Sequence, residues 1–347
     1  MRYAGSERCV AEMLRVFPDA RLVTTVVRPE ALPAEFGRAE ASFLQHLPGA
    51  TSYHEWLLPL MPAACRMTEL RDVDVVISSS HACANAVRVE PGTPHLSYCH
   101  TPMRYAWDFD SEAERFPGVV RPAARLGMAW FRRWDRRVAT RIDRFLANSS
   151  AVAERIEHFY GREAAVVHPP VRTDYFTPNG DPRSGFLYVG RLVPYKRADL
   201  AVEAFRGLPY ELTVVGAGPG AETLRRGAPP NVRFVDGVDD DQLRRLYRTA
   251  EALVAPGVED FGIIMAEAQA CGTPVIAPNA GGSKDIVVDG ETGLLVEPGS
   301  VEAVRSAVRD SADHQFDSGA IATAAERFSA ARFRERILAE TERALAA

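Results

Sequence analysis

The sequence predicts an α/β protein of two doubly wound domains, and three observations carry that expectation. Strand-length apolar runs alternate with segments of helical periodicity along nearly the whole chain, as in parallel sheets covered by helices. Residues 169–182 hold four prolines and a glycine, which neither a helix nor a central strand tolerates, so they read as a linker. The 347 residues exceed one domain of ordinary size, roughly 150 residues.

In the first half, strands are expected at 22–27, 73–78, 95–98, 144–147 and 165–168, each a short apolar run bounded by turn residues. Helices are expected at 7–17 and 121–142; in the second, Leu126, Trp130, Trp134, Val138 and Ile142 recur every four residues. After the linker, strands are expected at 186–189, 211–215, 232–235, 252–255, 274–277 and 294–296. Helices alternate with them at 198–205, 220–226, 240–249, 261–272 and 301–311, and a last one spans 330–345. The domains are thus expected at 1–170 and 171–329, with the closing segment 330–347 a candidate to pack back on the first. Two such domains facing one another place a ligand cleft between them, where strand C-terminal ends point.

Composition narrows the class. With 46% hydrophobic and 25% charged residues the chain is neither disordered nor a small disulfide-stapled scaffold. The longest apolar run, 56–65, is broken by Pro59 and Pro62 and falls far short of the ~20 residues a spanning helix needs. A net charge of −5 argues against bulk nucleic-acid binding. The five cysteines (Cys9, Cys65, Cys83, Cys99, Cys271) form no C-x-x-C pair, and the opening residues show no secretory leader. Reduced thiols and a cytoplasmic location are the expectation. Only two lysines, Lys196 and Lys284, stand among 41 basic residues.

Four segments could carry chemistry. In 256–276, a strand end is followed by a loop with Glu259 and a helix opening near Phe261, whose N–H groups suit oxyanions or hydroxyls. Glu267 follows eight residues later, so the two acids could grip two polyols of one long ligand; equally, they could be a dipole-favoured acid and a solvated one. In 188–198, Gly190 ends a strand and Arg191 and Lys196 follow, a pair suited to a diphosphate or merely surface charge. Gly216-Ala217-Gly218-Pro219-Gly220-Ala221 with Asp236 fits a dinucleotide fingerprint, so an NAD-linked oxidoreductase is an alternative. The same glycines would also let a nucleotide pass close to backbone. His100 closes a strand in the first half and is either structural or turned to the expected cleft. Asp72-Val73-Asp74 has D-x-D form but reads as solvent-edge acids. On the helix near 121–142, Arg132, Arg133, Arg136 and Arg137 crowd the aromatic stripe, compatible with lipid-surface docking or with a core-facing helix, and Asp135 interrupts the basic patch.

Together these residues resemble a family 4 retaining glycosyltransferase of the GT-B fold, two facing Rossmann-like domains, over nearly the whole chain. The resemblance rests on the E-x7-E run Glu259–Glu267 with Phe261-Gly262, on Gly190-Arg191 with Lys196, on Gly216–Pro219, and on Gly281-Gly282 with Gly290–Leu295. The loop His100–Tyr105 is further similar to bacterial polysaccharide mannosyltransferases. The resemblance implies a nucleotide-sugar donor, GDP-mannose or a UDP-sugar, and no metal or further cofactor. Arg191 and Lys196 would neutralise the diphosphate beside Gly190, Gly216 and Gly218, and Gly237-Val238 would lie near the base. Glu267 would bind ribose, and Glu259 with Phe261, Gly262, Ile263 and Ile264 the sugar. His100 would meet the sugar from the other domain, and Gly5, Ser6, Arg104 and Tyr105 would belong to the acceptor side. The acceptor would be a glycan, lipid-linked or natural-product molecule, with 121–142 as a peripheral contact to the inner membrane face. Family members begin with a buried strand before the glycine loop, and here only four residues precede Gly5-Ser6. The expectation is that the natural protein begins upstream of Met1; a truncated, inactive relative is the other alternative.

Overall fold

The computed structural model describes residues 5–27, 36, 39–51, 57–108 and 121–347. The chain forms two compact units, one running to His168 and including Phe333–Ala347, the other Pro169–Arg332.

In the first unit, β1 (Val23–Thr24) pairs with β2 (Glu40–Ala41), and β3 (Glu69–Leu70) with β5 (Arg88–Val89). The main sheet is parallel, in the order β4 (Val76–Ser80), β6 (His95–Cys99), β7 (Arg144–Ala147), β8 (Ala164–Val166). Every residue of β6 is buried, as a strand flanked on both sides and covered on both faces should be. The strand expected at 73–78 lies instead at Val76–Ser80, because the register from Val76 opposite His95 to Ser80 opposite Cys99 selects it over local propensity. Its buried Ser78 hydroxyl is satisfied locally, lying 2.7 Å from His95 Nε2. The strand expected at 22–27 contracts to two residues, and the expected lead-in at 1–4 lies outside the described residues.

The helix Arg121–Ala139 stops three residues before the expected end, where Arg162 donates to the carbonyls of Ala139 and Ile142. Helix Ser150–Tyr160 was absent from the expected elements, although Ser149 caps it at Val152 N–H and Gly161 closes it at φ 65°. The closing helix Ala330–Leu345 buries Phe333 and Ile337 against Cys9, Met13, Leu96, Tyr98 and Leu146, and ion pairs Arg144–Glu340 and Arg334–Glu12 flank that seam.

The second unit is one six-stranded parallel sheet comprising β9 (Phe186–Val189), β10 (Leu212–Val215), β11 (Val232–Val235), β12 (Ala252–Val254), β13 (Val275–Pro278) and β14 (Gly293–Val296). Its order is β11-β10-β9-β12-β13-β14. The chain winds outward from β9 in one direction, then returns to β12 and winds outward in the other. In doubly wound sheets that reversal opens a crevice at the strands' carboxyl ends, here beyond Val189 and Val254.

Candidate functional site

The crevice beyond β9 and β12 is built from loops locked backbone to backbone. A Cβ on Gly216 would lie 1.8 Å from the Gly190 carbonyl oxygen, and one on Gly218 2.5 Å from that of Leu192. Leu192 N–H donates to Ala217 O and Gly220 N–H to Leu192 O, so the two strand-end loops are fastened together. Gly216 and Gly218 are thus required first by loop packing, which the fingerprint spacing did not reveal. Asp236, the acid of that fingerprint, is ion-paired with Arg225.

From this platform the cations project. Arg191 is exposed and has no side-chain partner among the described residues. Lys196 ends the turn Pro194–Lys196 and forms an ion pair with Glu259; their side chains are only 19% and 15% exposed. Gly257 allows this approach, since a Cβ there would lie 2.9 Å from the carbonyl oxygens of both Tyr195 and Lys196. On the other side, Gly282 N–H donates to Glu259 O at 2.9 Å, and a Cβ on Gly281 would meet that oxygen at 2.4 Å. Three glycine-bearing segments therefore converge on Glu259.

Behind it, Gly262 at φ 98° opens helix Ile263–Ala270 with no side-chain cap. Phe261 is buried against Phe328, while Ile263 and Ile264 are half-buried. Glu267 is 4% exposed, so it is no solvated mid-helix acid, and Tyr247 OH donates to it at 3.3 Å. A carboxylate so enclosed must be held by hydrogen bonds. Tyr247 was not among the expected site residues; it lies 20 positions away on another helix and carries no local signature. Gly237, at φ 69°, leaves open space around its Cβ position, and Val238 packs on the core.

In the first unit, His100 follows β6 and its Nε2 lies 2.8 Å from Ser79 Oγ. Its ring meets Tyr98 edge-on at 5.1 Å, and Asn148 Nδ2 donates to its carbonyl. Burial, and then neighbouring His81, push the imidazole pKa down to about 3, so it is neutral near pH 7. Ser79, within a serine run, and His81, a lone histidine, carry no spacing signal in the sequence. Arg104 opens helix Arg104–Trp107; the side chain of Tyr105 lies outside the described residues. Gly5 and Ser6 open helix Gly5–Val16, where Ser6 Oγ donates to Glu7.

On helix Arg121–Ala139 the expected stripe divides. Leu126 and Trp130 are exposed at 75% and 58%, whereas Val138 and Ile142 are buried and Trp134 packs on the core. Asp135 does not interrupt the basic face: it is buried, accepting from Trp107 Nε1 and Tyr160 OH at 2.7 Å. Asp72 and Asp74 are exposed.

Comparison with known proteins converges on one class. The family model for Glycosyltransferase Family 4 matches residues 3–175, and that for Glycosyl transferases group 1 matches 177–326. The chain belongs to these family 4 glycosyltransferases and has their GT-B fold. It is 34% identical over 191 residues to a D-inositol 3-phosphate glycosyltransferase of Mycobacterium sp. (strain KMS), covering 47% of this chain and 43% of the relative. It is 32% identical over 207 residues to a GDP-mannose-dependent alpha-(1-6)-phosphatidylinositol monomannoside mannosyltransferase of Mycolicibacterium smegmatis, covering 50% and 54%. The chain thus spans about half the length of the curated relatives it matches. Anabaena HepE, crystallised with UDP-glucose, superposes with a TM-score of 0.69 at 18% identity, covering 98% of this chain and 96% of HepE. A glycosyltransferase from Rickettsia africae gives 0.66 at 16% identity, covering 99% and 96%.

Proposed function

We propose that the chain is a retaining hexosyltransferase that moves a hexose, mannose in the first instance, from a nucleotide sugar to a glycan, lipid-linked or natural-product acceptor through an α-linkage. The observation that carries this is the placement of Arg191, Lys196 and Glu259 on glycine-locked loops at the β9/β12 reversal. As the glycosidic bond breaks, negative charge grows on the departing diphosphate and positive charge on the sugar. Arg191 and Lys196 meet the first; no metal is invoked. Glu259 and the uncapped N–H groups of the helix opening at Gly262 hold the sugar, and Glu267, braced by Tyr247, takes the ribose hydroxyls. The leaving phosphate serves as base for attack on the same face. The family resemblance assigns His100, neutral in its surroundings, to the sugar hydroxyls, where it would donate or accept without adding charge.

The GDP-mannose-dependent relative supports GDP-mannose, and the HepE complex supports a UDP-sugar as the second choice. On helix Arg121–Ala139, Leu126, Trp130, Arg133 and Arg137 share one face and are exposed, which favours peripheral contact with an anionic inner-leaflet surface. No described helix is long and apolar enough to cross a membrane. Slow hydrolysis of a panel of sugar nucleotides tests the donor. GDP-mannose turnover above the others is the expected result, and turnover of none overturns the assignment.

A further inference from the structure

Resting on the donor-site assignment above, we infer that the Lys196–Glu259 ion pair makes the site discriminate between a sugar-bearing donor and the bare nucleoside diphosphate. The two residues assigned to opposite ends of the bond to be cleaved are ion-paired with each other. Both are largely withdrawn from water, so neither charge can be left alone without a large desolvation cost. Their backbones are fixed: Gly257 sits against the carbonyls of Tyr195 and Lys196, and Gly282 N–H holds the Glu259 carbonyl. The pair therefore opens by side-chain rotation rather than by loop movement.

A diphosphate arriving at exposed Arg191 draws Lys196 from Glu259 to a phosphate oxygen. When a hexose comes with it, the sugar hydroxyls donate to the released Glu259 carboxylate and replace the lost ammonium. When the diphosphate is bare, Glu259 is stranded, and the ligand must bind against that cost. Intact donor thus binds with its cations fully engaged, while the nucleoside diphosphate product is held weakly and leaves. Glu259 acts here as the specificity-determining group, through its competition with phosphate for Lys196.

The consequence is opposite to that of a simple sugar contact. Calorimetry with GDP and UDP should show Glu259→Gln binding the bare diphosphate at least fivefold more tightly than wild type, because Lys196 is no longer engaged. The same variant should bind intact donor no better than wild type and turn it over more slowly. Glu259→Ala, which likewise removes the charge, gives the same direction should the glutamine variant melt without cooperativity. Equal or weaker diphosphate binding by the folded variants, with wild type binding normally, overturns the exchange and leaves the donor site standing. Failure of wild type to bind either nucleotide overturns both.

Discussion

The two candidate regions, the β9/β12 strand ends and the end of β6, use opposite electrostatics. The first gathers Arg191, Lys196 and Glu259 onto loops that glycines lock together. The second offers His100, held neutral by its surroundings, beside the hydroxyl of Ser79. Fixed charge suits a ligand that carries charge and develops more of it in the transition state. A neutral imidazole suits hydroxyls, to which it donates or accepts without the desolvation cost of an ion. The contrast teaches that charged and neutral polar groups are built differently within this fold, by glycine-locked loops in one region and by burial in the other, and the substitutions and conditions below press on that difference.

The largest effect is expected for Lys196→Ala, which removes a cation from the proposed diphosphate site and strands the largely buried Glu259. Losing one preorganised group of this kind costs roughly 100- to 1,000-fold in kcat. Steady-state rates at saturating donor check it; a loss under threefold would place Lys196 among ordinary surface charges.

His100→Ala should lower kcat by about 10- to 100-fold while leaving nucleoside diphosphate affinity unchanged, as a contact confined to the sugar requires. If diphosphate affinity fell in step with kcat, the two regions would not be separable.

Glu267→Gln should weaken the nucleoside diphosphate itself by about 1–3 kcal/mol, as the proposed ribose contact of this enclosed acid requires with or without sugar. Tyr247→Phe should do the same more gently, by ~1 kcal/mol, by removing one hydrogen bond to that carboxylate. Calorimetry resolves both, and a selective loss of turnover instead would move Glu267 to the sugar.

The smallest effect concerns pH and the first unit. Burial, only partly offset by Asp143, lowers the His95 pKa to about 4, against ~6.5 in the unfolded chain. Between those values the unfolded state binds more protons, so the stability present above pH 6.5 is lost as pH falls toward 4. Melting temperature should therefore decline between pH 6.5 and 5, before most carboxylates titrate. His100, pushed down to about 3, acts in the same direction, so a flat profile in that window would contradict the neutral state of both histidines.

How much was legible follows from where the information lies. Strands β9 and β11 and helices Asp240–Thr249 and Ala330–Leu345 stand where expected. They combine strong periodicity with local stop signals, such as the Asp239–Gln242 capping box. The polar strand Val76–Ser80 departs from its expected place because its pairing with β6, not its composition, selects it. Arg191, Lys196, Glu259 and Glu267 were legible as residue types beside strand ends. Their partnerships were not, for Lys196 and Glu259 stand 63 positions apart and Tyr247 and Glu267 stand 20. The clashes that demand glycine at 216, 218 and 257 are likewise tertiary, each set by a carbonyl on another loop.

The central claim is that the β9/β12 crevice is the diphosphate site, and Arg191 tests it most cleanly because it is exposed and has no side-chain partner among the described residues, so its removal disturbs nothing else described. Calorimetry of wild type and Arg191→Ala with GDP and UDP should show one nucleotide binding wild type. The variant should bind it ~1.5–3 kcal/mol more weakly with an unchanged melting temperature, the loss of one charge-assisted hydrogen bond. Equal affinity in the two proteins would contradict the account and place the diphosphate elsewhere.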